Sequence, residues 1–265
     1  MTNPAPTDDV RPAIRAAAVP SIAVLAVDDR TRVERIDRGD HRLLRKCYSF
    51  AGLLSLRTFL RRSRAEREFC NLRLLSAADV PCVQAVRWTE QRSRGCVKVC
   101  EVVTEFADGS VDLRSALRNT SGRTERRRLS RELGGLMAAV HRADYRSSTA
   151  SLRNVLRCRD GSLVLCDQPY AARLWGPVAS WARGLDLFDT FFSPGRCADW
   201  SNSERWLGLQ SYHGGDVDAA RTTWRRMSRR PRYWFRLARQ LSRLAVFHRP
   251  SSHRPSRRPK NQPHP

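Results

Sequence analysis

The sequence predicts an α+β protein: a β-rich lobe, a connecting loop, and a helical lobe that carries one hairpin. Three observations support this. Between residues 31 and 106, runs that read as strands are interrupted by a single helical stretch. From Val111 onward the hydrophobic period becomes that of helices. Within this helical part, Arg159-Asp160-Gly161 separates two short apolar runs, the pattern of a hairpin with Asp-Gly at its tip.

Residues 1–30 read as a leader holding one buried strand or short helix. TRVERID (31–37) and HRLLRKCYSF (41–50) are strands joined by the turn RGD (38–40). Phe59, Leu60, Phe69, Leu72, Leu74 and Leu75 fall at helical spacing among Arg and Glu. They predict one amphipathic helix from Thr58 to Leu75, stopped by the SAAD turn and Pro81. VQAVRWTE (83–90) and CVKVCEVVTEF (96–106) are strands around the turn-rich QRSRG. Helices follow over VDLRSALRN and from Glu125 to His141, then NVLRC and SLVLCD form the hairpin. The chain thus divides into a leader (1–30), a small lobe (31–106), a large lobe (107–224), and a basic amphipathic helix with its tail (225–265).

A chain of 265 residues with 41% hydrophobic content can close a substantial core, which excludes wholesale disorder and a stapled mini-protein. The net charge is +23, but residues 221–265 hold 14 basic side chains and no acidic one, so the rest carries +9. The excess therefore speaks about partners of the tail. Only three of the 49 basic residues are lysines, Lys46, Lys98 and Lys260, so a site that demands lysine has few candidates. The eight cysteines read as reduced thiols, and Cys96 and Cys100 lack a second pair or a nearby His to complete a zinc site. The apolar run at 16–27 is broken by Pro20 and flanked by aspartates, unlike a signal peptide, and no run reaches the length of a membrane span. A cytoplasmic protein is expected.

A nucleotide phosphate site between two such lobes needs a strand lysine for the phosphate oxygens, a helical glutamate to hold it, and oxygen ligands for magnesium. The chain offers these in order. Lys46 lies on a strand, Glu68 on the following helix, Asn154 opens the hairpin and Asp167 closes it. Taken singly, each has a plainer reading: Lys46 and Glu68 as solvated surface charges, Asn154 and Asp167 as turn caps, His141 as a surface histidine favoured by the helix dipole.

The segments RKCY, AEREFCNLRLLSAADVP, VVTEF, DLRSAL and LGGLMAAVHRADY…NVLRCRDGSLVLCDQPYAAR resemble the bacterial lipopolysaccharide core-sugar kinases, the heptose and 3-deoxy-manno-octulosonic acid kinases. The resemblance spans roughly residues 40–215. It implies a protein-kinase-like two-lobe fold using ATP and Mg2+ to phosphorylate a hydroxyl of a lipid-linked saccharide. It further implies that Lys46 contacts phosphate, Glu68 pairs with it, Thr104, Glu105 and Phe106 form the interlobe hinge beside the nucleotide, and Asn154 and Asp167 bind the metal. Asp186 would brace the catalytic loop.

One departure matters. The family loop runs His-x-Asp-Leu-x-x-x-Asn, and counting back from Asn154 puts Ser147 at the His position and Thr149 at that of the proton-accepting Asp. Asp144, at the family's glycine position, is the nearest substitute carboxylate. The glycine-rich phosphate loop is reduced to Gly39. A positioned base typically contributes about 10²–10⁴-fold, so the loss bears on turnover more than on nucleotide binding, and a nucleotide-binding pseudokinase is the alternative.

In the tail, Trp234, Leu237, Leu241 and Leu244 share one helical face of residues 231–247, with Arg232, Arg236, Arg239 and Arg243 on the other. Such a helix either lies on an anionic inner-membrane surface or packs on the large lobe. Residues 248–265 read as disordered. A nucleic-acid-binding protein would also account for the charge, but its concentration in the tail and the lack of a reading helix count against that.

Overall fold

The computed structural model describes residues 21–39, 41–147, 151–173, 180–193 and 199–229. Strands β1 (Ser21–Val27), β2 (Thr31–Arg38) and β3 (His41–Ser49) form an antiparallel meander. After the short α1 (Leu53–Leu56) and the longer α2 (Arg64–Ser76), β4 (Ala85–Ser93) and β5 (Cys96–Glu105) complete a five-stranded sheet ordered β1-β2-β3-β5-β4. Helix α2 crosses β3, β4 and β5 and leaves β1 uncovered.

That placement corrects the reading of residues 1–30 in two ways. Ser21–Val27 is already part of the sheet, and it is an edge strand rather than a buried one, with Ile22, Val24, Leu25 and Val27 each 50% or more exposed. The extra strand also moves the first hairpin loop to Asp28–Arg30, where the Asp28 carboxylate accepts from the amides of Arg30 and Thr31. Gly39 lies at the opposite end of β2, beside Arg42, whose carbonyl accepts from the Phe106 amide.

The predicted helix from Thr58 begins six residues later. Ser63 caps α2 by accepting from the Glu66 amide, and Leu60 takes a left-handed φ of 51°. Phe59 and Leu60 belong to the preceding loop and lie against Gly95 at the β4–β5 turn. Their spacing imitates a helix that tertiary contact interrupts.

In the large lobe, β6 (Val111–Asp112) leads into α3 (Leu113–Asn119) and the long α4 (Arg123–Arg142). Then come β7 (Tyr145–Arg146), β8 (Val155–Arg157), β9 (Leu163–Leu165) and β10 (Ala172–Arg173). Helix α5 (Ser180–Leu187) runs on as a π-helical stretch over Phe188–Phe192, followed by α6 (Asn202–Tyr212) and α7 (Val217–Arg229). The expected hairpin is β8–β9, closed by a left-handed Gly161 and by Asp160, which accepts from Ser162. Gly134 explains itself by packing: a Cβ there would stand 2.1 Å from the Gly208 carbonyl of α6, so α4 and α6 cross nearly backbone to backbone.

Two features register the lobes. Leu72, Leu75, Val80 and Cys82 join Leu113, Leu133, Met137 and Leu165 in one continuous apolar cluster. The α2–β4 linker is strapped to β9 by hydrogen bonds from the Val83 amide to the Leu165 carbonyl and from the Leu165 amide to the Pro81 carbonyl. Together they set Asp167, two residues beyond β9, beneath the strand that carries Lys46. The seven described cysteines are all unpaired.

Candidate active site

Strand alternation carries Lys46 between Val33 of β2 and Val102 of β5. Its Nζ donates to Glu68 Oε1 at 2.9 Å and reaches Asp167 Oδ1 at 3.4 Å. Glu68 is fully buried and also accepts from the Tyr48 hydroxyl at 3.0 Å. A buried carboxylate is stable only when paired and hydrogen-bonded, and these two donors meet that need. Burial pulls the Lys46 ammonium toward neutrality, but the Glu68 and Asp167 carboxylates outweigh it and hold its pKa well above the ordinary value. Burial likewise pushes the Asp167 carboxyl up, and Lys46 and Arg64 reverse this to a net lowering. Both groups are charged at neutral pH.

Asp167 itself sits at φ 51°, a strained setting for a residue with a Cβ and one that recurs at functional positions. The neighbouring Cys166 thiol is lifted by burial to about 12. The Cys166 amide donates to the Asn154 carbonyl at 2.9 Å, so Asn154 and Asp167 stand at the same open end of the hairpin.

Three contributors were not singled out from the sequence. Arg64 stacks on the Tyr48 ring at 4.4 Å and reaches Asp167 Oδ1 at 3.4 Å. The Asn71 side-chain amide donates to the carbonyls of Gln168 and Ala171, at 2.7 and 2.8 Å, and so clamps the segment after Asp167 onto α2. Tyr48 completes the set. Arg64, Glu68 and Asn71 recur at spacings of four and three, so they share one helical face, and that periodicity was the available signal.

Asp186 is buried and accepts from the Ser147 amide at 2.8 Å and sits 3.3 Å from His141 Nε2. The Ser147 hydroxyl donates to Gln168 Oε1 at 2.8 Å. The start of the expected catalytic loop is thus tied both to α5 and to the residue after Asp167. His141 is a correction: it is 3% exposed, packed between Tyr212 and Asp186 beneath α5 and α6, and no surface histidine.

Thr149 lies outside the described residues. Asp144 ends α4 in the left-handed region at φ 57°, a helix-stop position that aspartate tolerates. At the expected hinge, Thr104 is buried within β5 opposite Leu44, while the amides of Glu105 and Phe106 donate to the carbonyls of Gln84 and Arg42. Those two amides are therefore spent inside the small lobe. Among the described residues no cluster of three or more His, Cys, Asp or Glu side chains gathers as a metal site.

A twisted antiparallel lobe with one bracing helix, set over a helical lobe, with a lysine–glutamate pair facing an aspartate after a hairpin, defines a protein-kinase-like fold. A solved structure of WaaP in complex with acyl carrier protein shares that fold, with a TM-score of 0.57 over 83% of this chain and 88% of that one, at 17% identity. Residues 36–162 match the model of the Lipopolysaccharide kinase (Kdo/WaaP) family. No curated protein matches the chain in sequence.

Proposed function

We propose that the protein is an ATP- and Mg2+-dependent phosphotransferase that acts on a sugar hydroxyl of a lipid-linked saccharide. The observation that carries this is the meeting of Lys46, Glu68 and Asp167, residues drawn from β3, α2 and the end of the hairpin. In this reading Lys46 offers its ammonium to phosphate oxygens, Glu68 and Tyr48 orient it, and Arg64 adds a second cation at the same carboxylate. Thr104, Glu105 and Phe106 flank the base. With the Glu105 and Phe106 amides engaged, contact there falls to carbonyls or to the next residue along.

The residues fit a hard cation. Asp167 is ionised and Asn154 stands beside it, and magnesium is commonly held by one or two carboxylates with water and substrate phosphate completing the shell. When bound, it would neutralise charge that builds on the transferred phosphoryl group. Asp186 positions the loop through Ser147, and the hydroxyl proton then has Thr149 where the family has a carboxylate, with Asp144 at the helix stop.

That substitution favours a second reading, a nucleotide-binding pseudokinase. Phosphoryl transfer depends mainly on positioning and charge, so the loss is expected to slow turnover rather than abolish binding. Residues 231–247 would place the protein on the inner face of an anionic membrane; this segment lies outside the described residues. Among the described residues no helix is long and apolar enough to cross a membrane. A nucleic-acid role would rest on the tail alone.

Mg2+-dependent ATP binding by the full chain, compared with Lys46→Ala and Asp167→Ala, tests the site. Binding lost in both variants supports it, and equal binding by all three removes it. Phosphate transfer to a lipid-linked saccharide then separates enzyme from pseudokinase.

A further inference from the structure

The large lobe carries a second, half-open cavity of about 520 Å3, bounded by the C-terminal turn of α4, by α5, by the end of α6 and by α7. Neither Lys46, Glu68 nor Asp167 lines it, so it is separate from the cleft between the lobes. Its lining includes Arg142, Arg183 and Arg226 and no acidic residue.

Among the described residues none of these three arginines forms an ion pair, and the Arg183 Nε is buried without a hydrogen-bond partner. Arginines elsewhere in the fold are matched, Arg126 by Glu204 and Arg64 by Asp167 for example. Cations gathered in a shared cavity repel one another, and proteins offset such a group with carboxylates or with a bound anion. The basic segment that follows α7 cannot supply the anion, because residues 221–265 contain no acidic side chain.

Hydroxyl and imidazole groups stand beside the arginines. The Tyr212 hydroxyl lies 2.8 Å from His141 Nδ1, and His213 Nε2 lies 2.8 Å from Thr223 Oγ1. Burial pushes the Tyr212 phenol up to about 12; the Arg183 guanidinium pulls it down, and the Asp186 carboxylate, which lies behind His141 and does not line the cavity, adds to the rise. Planar guanidinium forks pair with the oxygens of phosphate, and hydroxyls complete such a shell. The volume matches pockets for a small molecule rather than a lone ion.

We propose that this cavity binds a phosphate monoester, held by Arg142, Arg183 and Arg226 with Tyr212 and Thr223 beside them. The carrier of the phosphate is either a soluble metabolite or a lipid headgroup. The proposal is independent of phosphotransfer in the cleft.

Calorimetric titration of the full chain with glycerol 3-phosphate, without nucleotide or magnesium, tests it. A parallel arm uses phosphatidylcholine vesicles with and without phosphatidic acid. Wild type and Lys46→Ala should bind with equal, saturable affinity, and Arg183→Gln/Arg226→Gln should weaken binding by about tenfold or more. Arg142→Gln, at an exposed position in the last turn of α4, should weaken it as well, with a thermal melt of the variant confirming that it is folded. Saturable binding of the soluble ester assigns the site to a metabolite; because the basic tail itself favours an anionic surface, vesicle binding assigns it to a headgroup only where phosphatidic acid vesicles are bound and Arg183→Gln/Arg226→Gln weakens that binding. No saturable binding in either arm, binding unchanged in both arginine variants, or binding lost in Lys46→Ala alone would overturn the proposal.

Discussion

Replacing Glu68 by Gln keeps the shape of the side chain and removes its charge. The native carboxylate is fully buried and receives Lys46 Nζ at 2.9 Å and the Tyr48 hydroxyl at 3.0 Å. Breaking a buried ion pair by removing one partner costs about 3–5 kcal/mol when the other charge is left uncompensated. Here Lys46 keeps Asp167 at 3.4 Å, so the cost of Glu68→Gln should fall to about 2–3 kcal/mol. Lys46→Met is the harsher change, because it strands Glu68 with Tyr48 alone, and should cost about 3–5 kcal/mol. Removing both charges relieves each stranded partner. The double variant should therefore be more stable than the sum of the singles by about 2 kcal/mol or more. Urea unfolding at constant slope measures all four states. In a thermal scan, Glu68→Gln should lower Tm by about 5–10 °C, at 2–4 °C per kcal/mol for a chain of this size. Additivity within about 0.5 kcal/mol would refute the reasoning, since it would mean that the two groups do not share one desolvated environment.

Three further outcomes are expected. Because Lys46 and Arg64 hold the Asp167 carboxyl below its ordinary value, the native state binds that proton more weakly than the unfolded chain. The resulting stability is complete above the ordinary carboxylate range and lost as pH falls through the lower native value, so Asp167→Asn should flatten the acid limb of a pH melt below about pH 4. Gly134→Ala should destabilise by more than about 3 kcal/mol, since the added Cβ would stand 2.1 Å from the Gly208 carbonyl and a backbone clash exceeds ordinary overpacking, whereas Gly135→Ala, with only Ser211 Oγ at 3.9 Å, should be neutral or stabilising by up to about 1 kcal/mol; melts of equal Tm would contradict this. The Cys166 thiol, raised to about 12 by burial, should resist iodoacetamide at neutral pH until the chain unfolds, as peptide mass mapping would report.

Where local chemistry decides conformation, the sequence was a sound guide. The β8–β9 hairpin follows from Asp160-Gly161, and α4 follows from its apolar stripe and closes within two residues of the expected ends. It misled where neighbours decide. Phe59 and Leu60 have helical spacing but fold onto Gly95, and His141 has a terminal position but is roofed by α5 and α6. Arg64 and Asn71 escaped notice because Arg is common in this chain and an Asn on a helix is unremarkable until its carbonyl partners are in view.

Three lysines in the whole chain, and an Asn and an Asp bracketing a hairpin, made Lys46, Asn154 and Asp167 identifiable from composition and order alone. Side-chain type and local turn chemistry are properties of neighbours in sequence, so they can be read there. That Lys46 meets Asp167, 121 positions away, depends on the strap of Pro81–Val83 against Leu165 and on the apolar cluster shared by both lobes. The gathering of Arg142, Arg183 and Arg226 around one cavity likewise depends on how four helices pack. Such long-range pairings arise from hydrophobic burial, which is non-directional, and only the packed structure selects which distant groups come to share a space.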